Sequence, residues 1–261
     1  YYDPDIQYVC FTDGSIEKKG PWEFREIPIT YQCPRRLSAY PKINPHKLFP
    51  VGTRTAWIDG CYTMTEKYTE RCKEILDANP FTIMRHNERF SYMDECLEGF
   101  LGSMNTWDDV ITITKTIKEV GYNFFKYCSP VLGGIWRVVS EDMFEFHDLW
   151  WKYSLIGSNR DQISFDCARQ LTGVVWDTIP DWESIGVDLT SSEAKRYRTK
   201  RHPQAGRFNE YSTLSEIIGE CYDFLAEIRP ITKIQDEHQI FRVKPHQQIY
   251  DKTRWDPEKN N

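Results

Sequence analysis

Carboxylates follow two segments that the sequence predicts to be β-strands, and such positions suit chemistry on a polar or charged ligand. Asp13 follows the apolar run at residues 6–12, and Asp59, with Gly60 behind it, follows the run at residues 54–58. A buried charge is costly unless it is paired, bound to a metal or needed for function. Because Asp-Gly is also a common turn pair, Asp59 is either a turn residue or a ligand for a metal ion or a polar substrate.

Two basic segments have the composition to bind an anion. The segment 35–50, RRLSAYPKINPHKLFP, places Arg36 and Lys42 just before the second of these strands. Such cations suit a diphosphate, although a solvated loop with a few salt bridges explains them too. The segment 195–203, KRYRTKRHP, places His202 in a run of cations. A run of this kind is usually a solvated face, but in an acidic protein it could also close over phosphates.

A third polar segment, RHNERFSYMDE at residues 85–95, follows a predicted strand at 81–85. His86 and Arg89 stand at its beginning. A single histidine is more often a structural residue than a ligand. At the end of a third strand, however, His86 would face the same edge of the sheet as Asp13 and Asp59.

A fourth segment combines a carboxylate with aromatic residues. Asp161 stands at the predicted start of a helix, where free backbone N–H groups stabilise a negative charge, so N-capping is one explanation of it. Gln162 follows it, and Trp150 and Trp151 lie shortly before it in the chain. Aromatic walls beside a carboxylate are also typical of a sugar pocket.

The elements that must position these side chains alternate along the chain. Strands are predicted at 6–12, 54–58, 81–85 and 133–139, and helices at 63–76, 106–120, from 161 and at 213–228. The alternation predicts an α/β domain with a mostly parallel central sheet flanked by helices. Ligands bind such sheets at the carboxyl ends of the strands. The domain is expected to span residues 1–230, and the polar residues 231–261 to form a C-terminal extension that packs on the surface or frays.

Composition argues against several classes of protein. The chain has 261 residues and a formal net charge of -6, which argues against a nucleic-acid ligand. It has no run of 18 apolar residues, so no transmembrane segment is expected. The eight cysteines form no CxxC pair and are interpreted as reduced core residues, which favours a cytoplasmic protein. The P-loop, GxGxxG, GxSxG and HExxH motifs do not occur.

Six short motifs, taken in order, resemble a known family. They are YVCFTD, RRLSAYPKINPHKLFP, WIDG, RHNER, GGIWRV and WW…RDQISF, and they fall within residues 5–175. Together they resemble a glycosyltransferase-like family, long described as a domain of unknown function, that includes plant mucilage-related proteins with bacterial and viral relatives. Each motif is short, and it is their order that makes the resemblance specific.

The resemblance implies a Rossmann-type GT-A fold and a nucleotide-sugar-dependent glycosyltransferase, a hexosyl- or pentosyltransferase of polysaccharide biosynthesis. Its partners would be a nucleotide-sugar donor and a glycan or other hydroxyl acceptor. Asp161 would be the catalytic base or a stabiliser of the oxocarbenium-like centre. The positions implied for the nucleotide and donor are Phe11, Thr12, Asp13, Arg36, Lys42, Asp59, Gly133 and Gly134. Those implied for the acceptor or sugar pocket are His86, Arg89, Trp150, Trp151 and Gln162.

The resemblance also implies a divalent cation, Mn²⁺ or Mg²⁺. WIDG takes the place of the DxD motif that usually holds the metal, with Asp59 and the late histidine His202 as its ligands. Because Trp57 and Cys61 stand two residues to either side of Asp59, the second acid of the motif is missing. Asp59 could still hold the ion together with diphosphate oxygens and waters. Alternatively, the basic segment 195–203 neutralises the leaving diphosphate without a metal.

Two other functions fit the same residues. A non-catalytic carbohydrate or nucleotide-sugar binding module would explain the missing acid and the many aromatic residues. A glycoside hydrolase would need a pair of carboxylates at a defined separation, such as Asp59 with Asp161 or Glu95. Turnover of a nucleotide sugar distinguishes the transferase from the binding module.

Overall fold

The structure is a computed structural model, and it describes residues 2–14, 20–31, 33–60, 62–85, 91–92, 95–96, 99, 105–128, 130–158, 160–179 and 187–188. Three of the predicted site residues, His86, Arg89 and His202, lie outside these ranges. The basic segment 195–203, the predicted helix at 213–228 and the extension at 231–261 also lie outside them. The domain boundary expected at residue 230 therefore stays a prediction.

Eight strands and five α-helices make up the described part of the chain. In order they are β1 (Val9–Thr12), β2 (Glu23–Glu26), α1 (Pro34–Ile43), β3 (Arg54–Ile58), β4 (Thr63–Met64), α2 (Glu66–Ala78), β5 (Phe81–Arg85), α3 (Trp107–Glu119), β6 (Pro130–Val138), α4 (Phe144–Ser154), α5 (Asp161–Thr172), β7 (Asp177–Ile179) and β8 (Val187–Asp188). This order confirms the prediction of a mixed α/β chain.

The central sheet has four strands in the order β3-β6-β5-β7. β6 runs antiparallel to both β3 and β5, whereas β7 runs parallel to β5. Consequently β3, β5 and β7 share one direction, and their carboxyl ends lie at one edge of the sheet, beside the start of β6. The predicted mostly parallel sheet is thus found only in part. Alternation of strands and helices does not encode strand direction, and here the chain between β5 and β6 brings β6 back in the opposite sense.

Helices cover both faces of the sheet. Successive side chains of β6 point to opposite faces, so that each face carries large apolar residues for the helices to pack against. Ile135 points into a core under α1, α4 and α5, which also contains Ile43, Phe81, Ile83, Leu132, Phe146, Trp150, Phe165 and Ala168. Trp136, the next residue, points into a second core under α2, with Tyr68, Cys72, Ile75, Met84 and Ile179. Period-two alternation of this kind is what strand geometry imposes.

The helix ends follow local capping signals, with one correction. α3 begins after Thr106, which forms a reciprocal capping box with Asp109, close to the predicted start. α2 is capped by Thr65, whose hydroxyl accepts from the Tyr68 N–H, so this helix begins at Glu66 rather than at the predicted residue 63, which lies in β4. α5 ends at Gly173, which adopts the left-handed conformation usual for a helix C-terminus.

The first strand does not join the central sheet in the described part of the chain. β1 pairs in parallel with β2, from Val9 opposite Glu23 to Thr12 opposite Glu26. The six cysteines whose state is described, Cys10, Cys33, Cys72, Cys96, Cys128 and Cys167, are free thiols, in line with the reduced interpretation. Among the described residues, no helix is both long and apolar enough to cross a membrane.

Candidate functional site

A buried lysine brings together two of the carboxylates that the sequence singles out. Lys42 lies in the last turn of α1, and its side chain is only 9% exposed. Its Nζ lies 2.6 Å from Oδ2 of Asp161 and 3.6 Å from Oδ1 of Asp59. Residues from a helix, a strand end and a second helix therefore meet at one point, at the edge where β3 ends.

Asp59 is held in place by the strand beside it. Its backbone N–H donates to the Gly133 carbonyl oxygen at 2.9 Å, continuing the pairing of β3 with β6 one residue past Ile58, which lies opposite Gly134. Its Oδ1 accepts from the indole Nε1 of Trp57 at 2.8 Å. The side chain stays 40% exposed. Asp59 is therefore a fixed, accessible carboxylate as well as the end of a strand.

Asp161 is the first residue of α5, and its carboxylate is used for an ion pair rather than for capping. The N-cap residue is Arg160, which makes no side-chain capping bond. The Asp161 carbonyl oxygen accepts from the Nε1 of Trp150 at 3.1 Å, which ties the start of α5 to α4. The N-capping interpretation is thus wrong, because the side chain turns toward Lys42.

The Lys42 ammonium keeps its proton in this setting. Burial by itself lowers the pKa of a lysine, but the negative charges of Asp161 and Asp59 outweigh that effect and raise the pKa of Lys42 above its ordinary value. Lys42 is therefore a fixed positive charge between two carboxylates, and Lys42, Asp59 and Asp161 together form a triad.

An open cleft of about 1500 Å³ passes along the triad. Its described lining contains seven cations, Arg35, Arg36, Lys42, Arg54, Lys73, Arg137 and Arg160, against four carboxylates, Asp5, Asp59, Asp77 and Asp161. Arg36 also holds the fold together, because its guanidinium donates to the carbonyl oxygens of Leu155 at 3.0 Å and Gly157 at 2.6 Å. Positive charge is thus concentrated in one cleft of a chain whose net charge is -6.

Aromatic residues also line this cleft. Phe11 of β1 packs edge-to-face against Phe49, with ring centroids 6.1 Å apart, and Trp22 and Trp57 also line the cleft. Thr12 is buried, and its hydroxyl accepts from the Gly14 N–H, while Asp13 is exposed. Of the predicted residues at the end of β1, Phe11 is therefore the one that lines the cleft.

The predicted sugar-pocket residues divide between the cleft and the core. Gln162 lines the cleft, and its buried Oε1 has no hydrogen-bond partner among the described residues. Trp150 is fully buried in the core, so it supports the site from behind rather than contacting a ligand. The ring of Trp151 packs against the ring of Tyr40, a residue of α1, and the two ring centroids are 5.1 Å apart. Large aromatic residues near a site more often fill the core than line the pocket.

The sequence did not identify Arg35 and Arg137 as cations of the cleft, and it suggested Glu95 as a catalytic acid, which the structure does not support. Arg137, in β6, donates to the Lys42 carbonyl oxygen from a fully buried position, and Arg35 lines the cleft about two turns before Lys42 on α1. The GGIWRV motif contained Arg137, but a strand residue gives no signal of its own. Glu95 is fully buried in an ion pair with Arg160, which removes it as the second acid of a hydrolase.

The described residues do not fit the divalent cation that the resemblance implies. Mg²⁺ and similar ions bind oxygen ligands at about 2.0–2.6 Å. The Lys42 ammonium lies between the carboxylates of Asp59 and Asp161, where such an ion would bridge them. Nor does any group of three or more His, Cys, Asp or Glu residues converge in the part of the chain that the structure describes.

Comparison with known proteins assigns no family. No protein-family model, no curated protein and no solved structure matches the chain.

Proposed function

We propose that the chain is a glycosyltransferase that moves a sugar from a nucleotide-diphosphate donor to a glycan or other hydroxyl acceptor. The observation that carries this proposal is the triad of Asp59, Lys42 and Asp161, which lies at the carboxyl end of β3 in a large cleft. This edge of an α/β sheet is the usual place for a ligand.

The cleft lining contains groups that suit both parts of a nucleotide-sugar donor. A nucleoside is flat and partly apolar, and Phe11, Trp22 and Trp57 offer aromatic surfaces for it. A diphosphate is a dense anion, and Arg35, Arg36 and Lys42 supply positive charge. The polarity of the cleft therefore suits a molecule with an aromatic head and a charged middle.

The proposed reaction breaks the bond between the anomeric carbon and the diphosphate oxygen, and its electron pair leaves with the diphosphate. The acceptor hydroxyl oxygen forms the new bond to the anomeric carbon, and its proton passes to the carboxylate of Asp161. Cations beside the diphosphate stabilise the charge that develops on it. Holding donor and acceptor together supplies much of the remaining acceleration.

A non-catalytic module that binds a nucleotide sugar or a carbohydrate is the second candidate. The observation that favours it is that Lys42 forms ion pairs with both carboxylates, with Nζ at 2.6 Å from Asp161 and 3.6 Å from Asp59. Such an arrangement also suits a site that holds a ligand without reacting with it. Formation of a glycosylated product separates the two candidates.

The test combines donor binding with turnover. A thermal-shift panel of nucleoside diphosphates and their sugars identifies the donor, because a ligand that binds only the folded state raises the melting temperature. We then expect Asp161→Asn to retain the thermal shift while losing transfer by about 10²–10⁴-fold. Asp148→Asn is the matched control, since Asp148 is an exposed carboxylate on α4 that pairs with Lys47. Transfer at the wild-type rate in Asp161→Asn would remove Asp161 from the chemistry.

A further inference from the structure

We infer that Lys42 takes the place of a divalent metal ion in this site, so that the donor diphosphate binds to fixed side-chain cations and needs no Mn²⁺ or Mg²⁺. This inference rests on the proposed function and concerns how the donor is held.

The first support is position. A metal ion in such a site neutralises the acid at the end of the strand and leaves positive charge facing the diphosphate. Lys42 meets the first of these requirements, since its Nζ lies 3.6 Å from Asp59, the acid at the end of β3, and 2.6 Å from Asp161. A divalent ion that bridged these two carboxylates would have to displace the ammonium.

The second support is rigidity. Tyr40, Pro41, Lys42 and Ile43 are all buried, so the last turn of α1 is locked into the core. The Lys42 carbonyl oxygen accepts a hydrogen bond from the buried guanidinium of Arg137. Asp59 is held in turn by Trp57 and by the backbone of Gly133. The charge is therefore preorganised, as an effective electrostatic site requires.

The third support is the supply of further cations. Arg35 and Arg36 precede Lys42 on α1, and both line the same cleft. Arg160 lines it as well, with Glu95 as its ion-pair partner. A diphosphate carries more than one negative charge, so a single ammonium paired with two carboxylates would not balance it. The arginines provide the rest.

The experiment measures binding of the nucleoside diphosphate identified by the thermal-shift panel, with inorganic pyrophosphate as a second probe. Calorimetric titrations are run on metal-stripped protein in excess EDTA and again in MnCl₂. We expect equal affinity in the two conditions. Lys42→Met should weaken binding in EDTA by about tenfold or more, because it removes a buried charge. Lys118→Met is the matched control, since Lys118 is an exposed lysine of α3.

The outcomes distinguish this inference from the proposed function. If Mn²⁺ raises the affinity of the wild-type protein more than about tenfold, Lys42 does not replace a metal, while the transferase proposal stands. If no nucleotide or nucleotide sugar binds in either condition, the proposed function fails and this inference fails with it. If Lys42→Met folds and binds the diphosphate in EDTA as tightly as the wild type, Lys42 does not take the place of the metal and this inference fails.

Discussion

Lys42 and Arg137 are two buried cations of the described chain, and their electrostatic surroundings differ: carboxylates lie beside Lys42 but not beside Arg137. Burial lowers the pKa of Lys42, but two carboxylates more than compensate and raise it. Burial also lowers the pKa of Arg137, to about 9, and no described carboxylate opposes the effect. The Nε and Nη1 atoms of Arg137 have no hydrogen-bond partner among the described residues. Burying the Arg137 guanidinium with two nitrogen atoms unpaired among the described residues therefore lowers the stability of the fold, as is usual for residues of functional sites.

His147 gives a prediction at the same scale. It is 2% exposed, and burial, followed by the charges of Arg137 and His46, lowers its pKa well below 6.5. Native His147 therefore stays neutral where the unfolded chain takes up a proton. We expect the free energy of unfolding to fall as the pH drops below about 6.5, by up to about 1.4 kcal/mol per pH unit from this residue.

The measurement is urea unfolding of the wild type and of His147→Gln between roughly pH 5 and 6.5, above the range in which most carboxylates titrate. The variant should show a shallower dependence on pH, because it has lost one group whose pKa differs between the folded and unfolded states. Equal slopes in the two proteins would show that His147 does not titrate as described.

At the scale of elements, the loop between α4 and α5 decides where Asp161 lies. Arg36 of α1 holds this loop through the carbonyl oxygens of Leu155 and Gly157. On the other side, Gly157 lies against α3, so that an added Cβ would come within 3.0 Å of the Asp109 carbonyl oxygen. The loop is thus fixed between two helices just before α5 begins.

Gly157→Ala tests this packing. Gly157 has φ of 62°, so alanine is strained there, and its Cβ also collides with the backbone of α3. We expect a loss of about 2–4 kcal/mol in the free energy of unfolding. Gly173→Ala is the matched control, because Gly173 has φ of 72° but open space around its Cβ position; its loss should be about 1 kcal/mol. Equal losses would mean that α3 does not constrain the loop.

At the scale of the whole molecule, the sign of the net charge is negative, whereas the cleft is lined by several cations. The net charge of -6 repels an anionic donor at long range, whereas the cleft presents Arg35, Arg36 and Lys42 at short range. Attraction inside the cleft has to exceed this general repulsion for a diphosphate to bind. Salt screens exposed charges over about 10 Å at 0.1 M, and buried charges much less.

Affinity for a nucleoside diphosphate should therefore weaken several-fold as salt is raised from low to physiological concentration. Affinity for the matching nucleoside, which carries no phosphate, should change little under the same conditions. Titrations of both ligands at two salt concentrations make the comparison. A salt effect of equal size on both would show that the cations of the cleft do not contact the diphosphate.

Local patterns in the sequence were sufficient to predict several elements and some site residues. β3 and β5 are found at the predicted residues, and α3 lies within one residue of its prediction, because side-chain periodicity and caps involve neighbours in the chain. Local patterns also singled out Asp59 and Asp161, which stand at a predicted strand end and a predicted helix start, and Lys42, which belongs to the basic segment 35–50.

Tertiary structure alone decided how these residues are used. The direction of β6, the place of Trp150 in the core and the cation Arg137 under α1 all depend on contacts between distant segments. The ion pair of Lys42 with Asp161 joins residues more than a hundred positions apart. Such contacts form only when α1 and α5 pack on the same face of the sheet, and the pattern of either segment contains nothing that specifies the other.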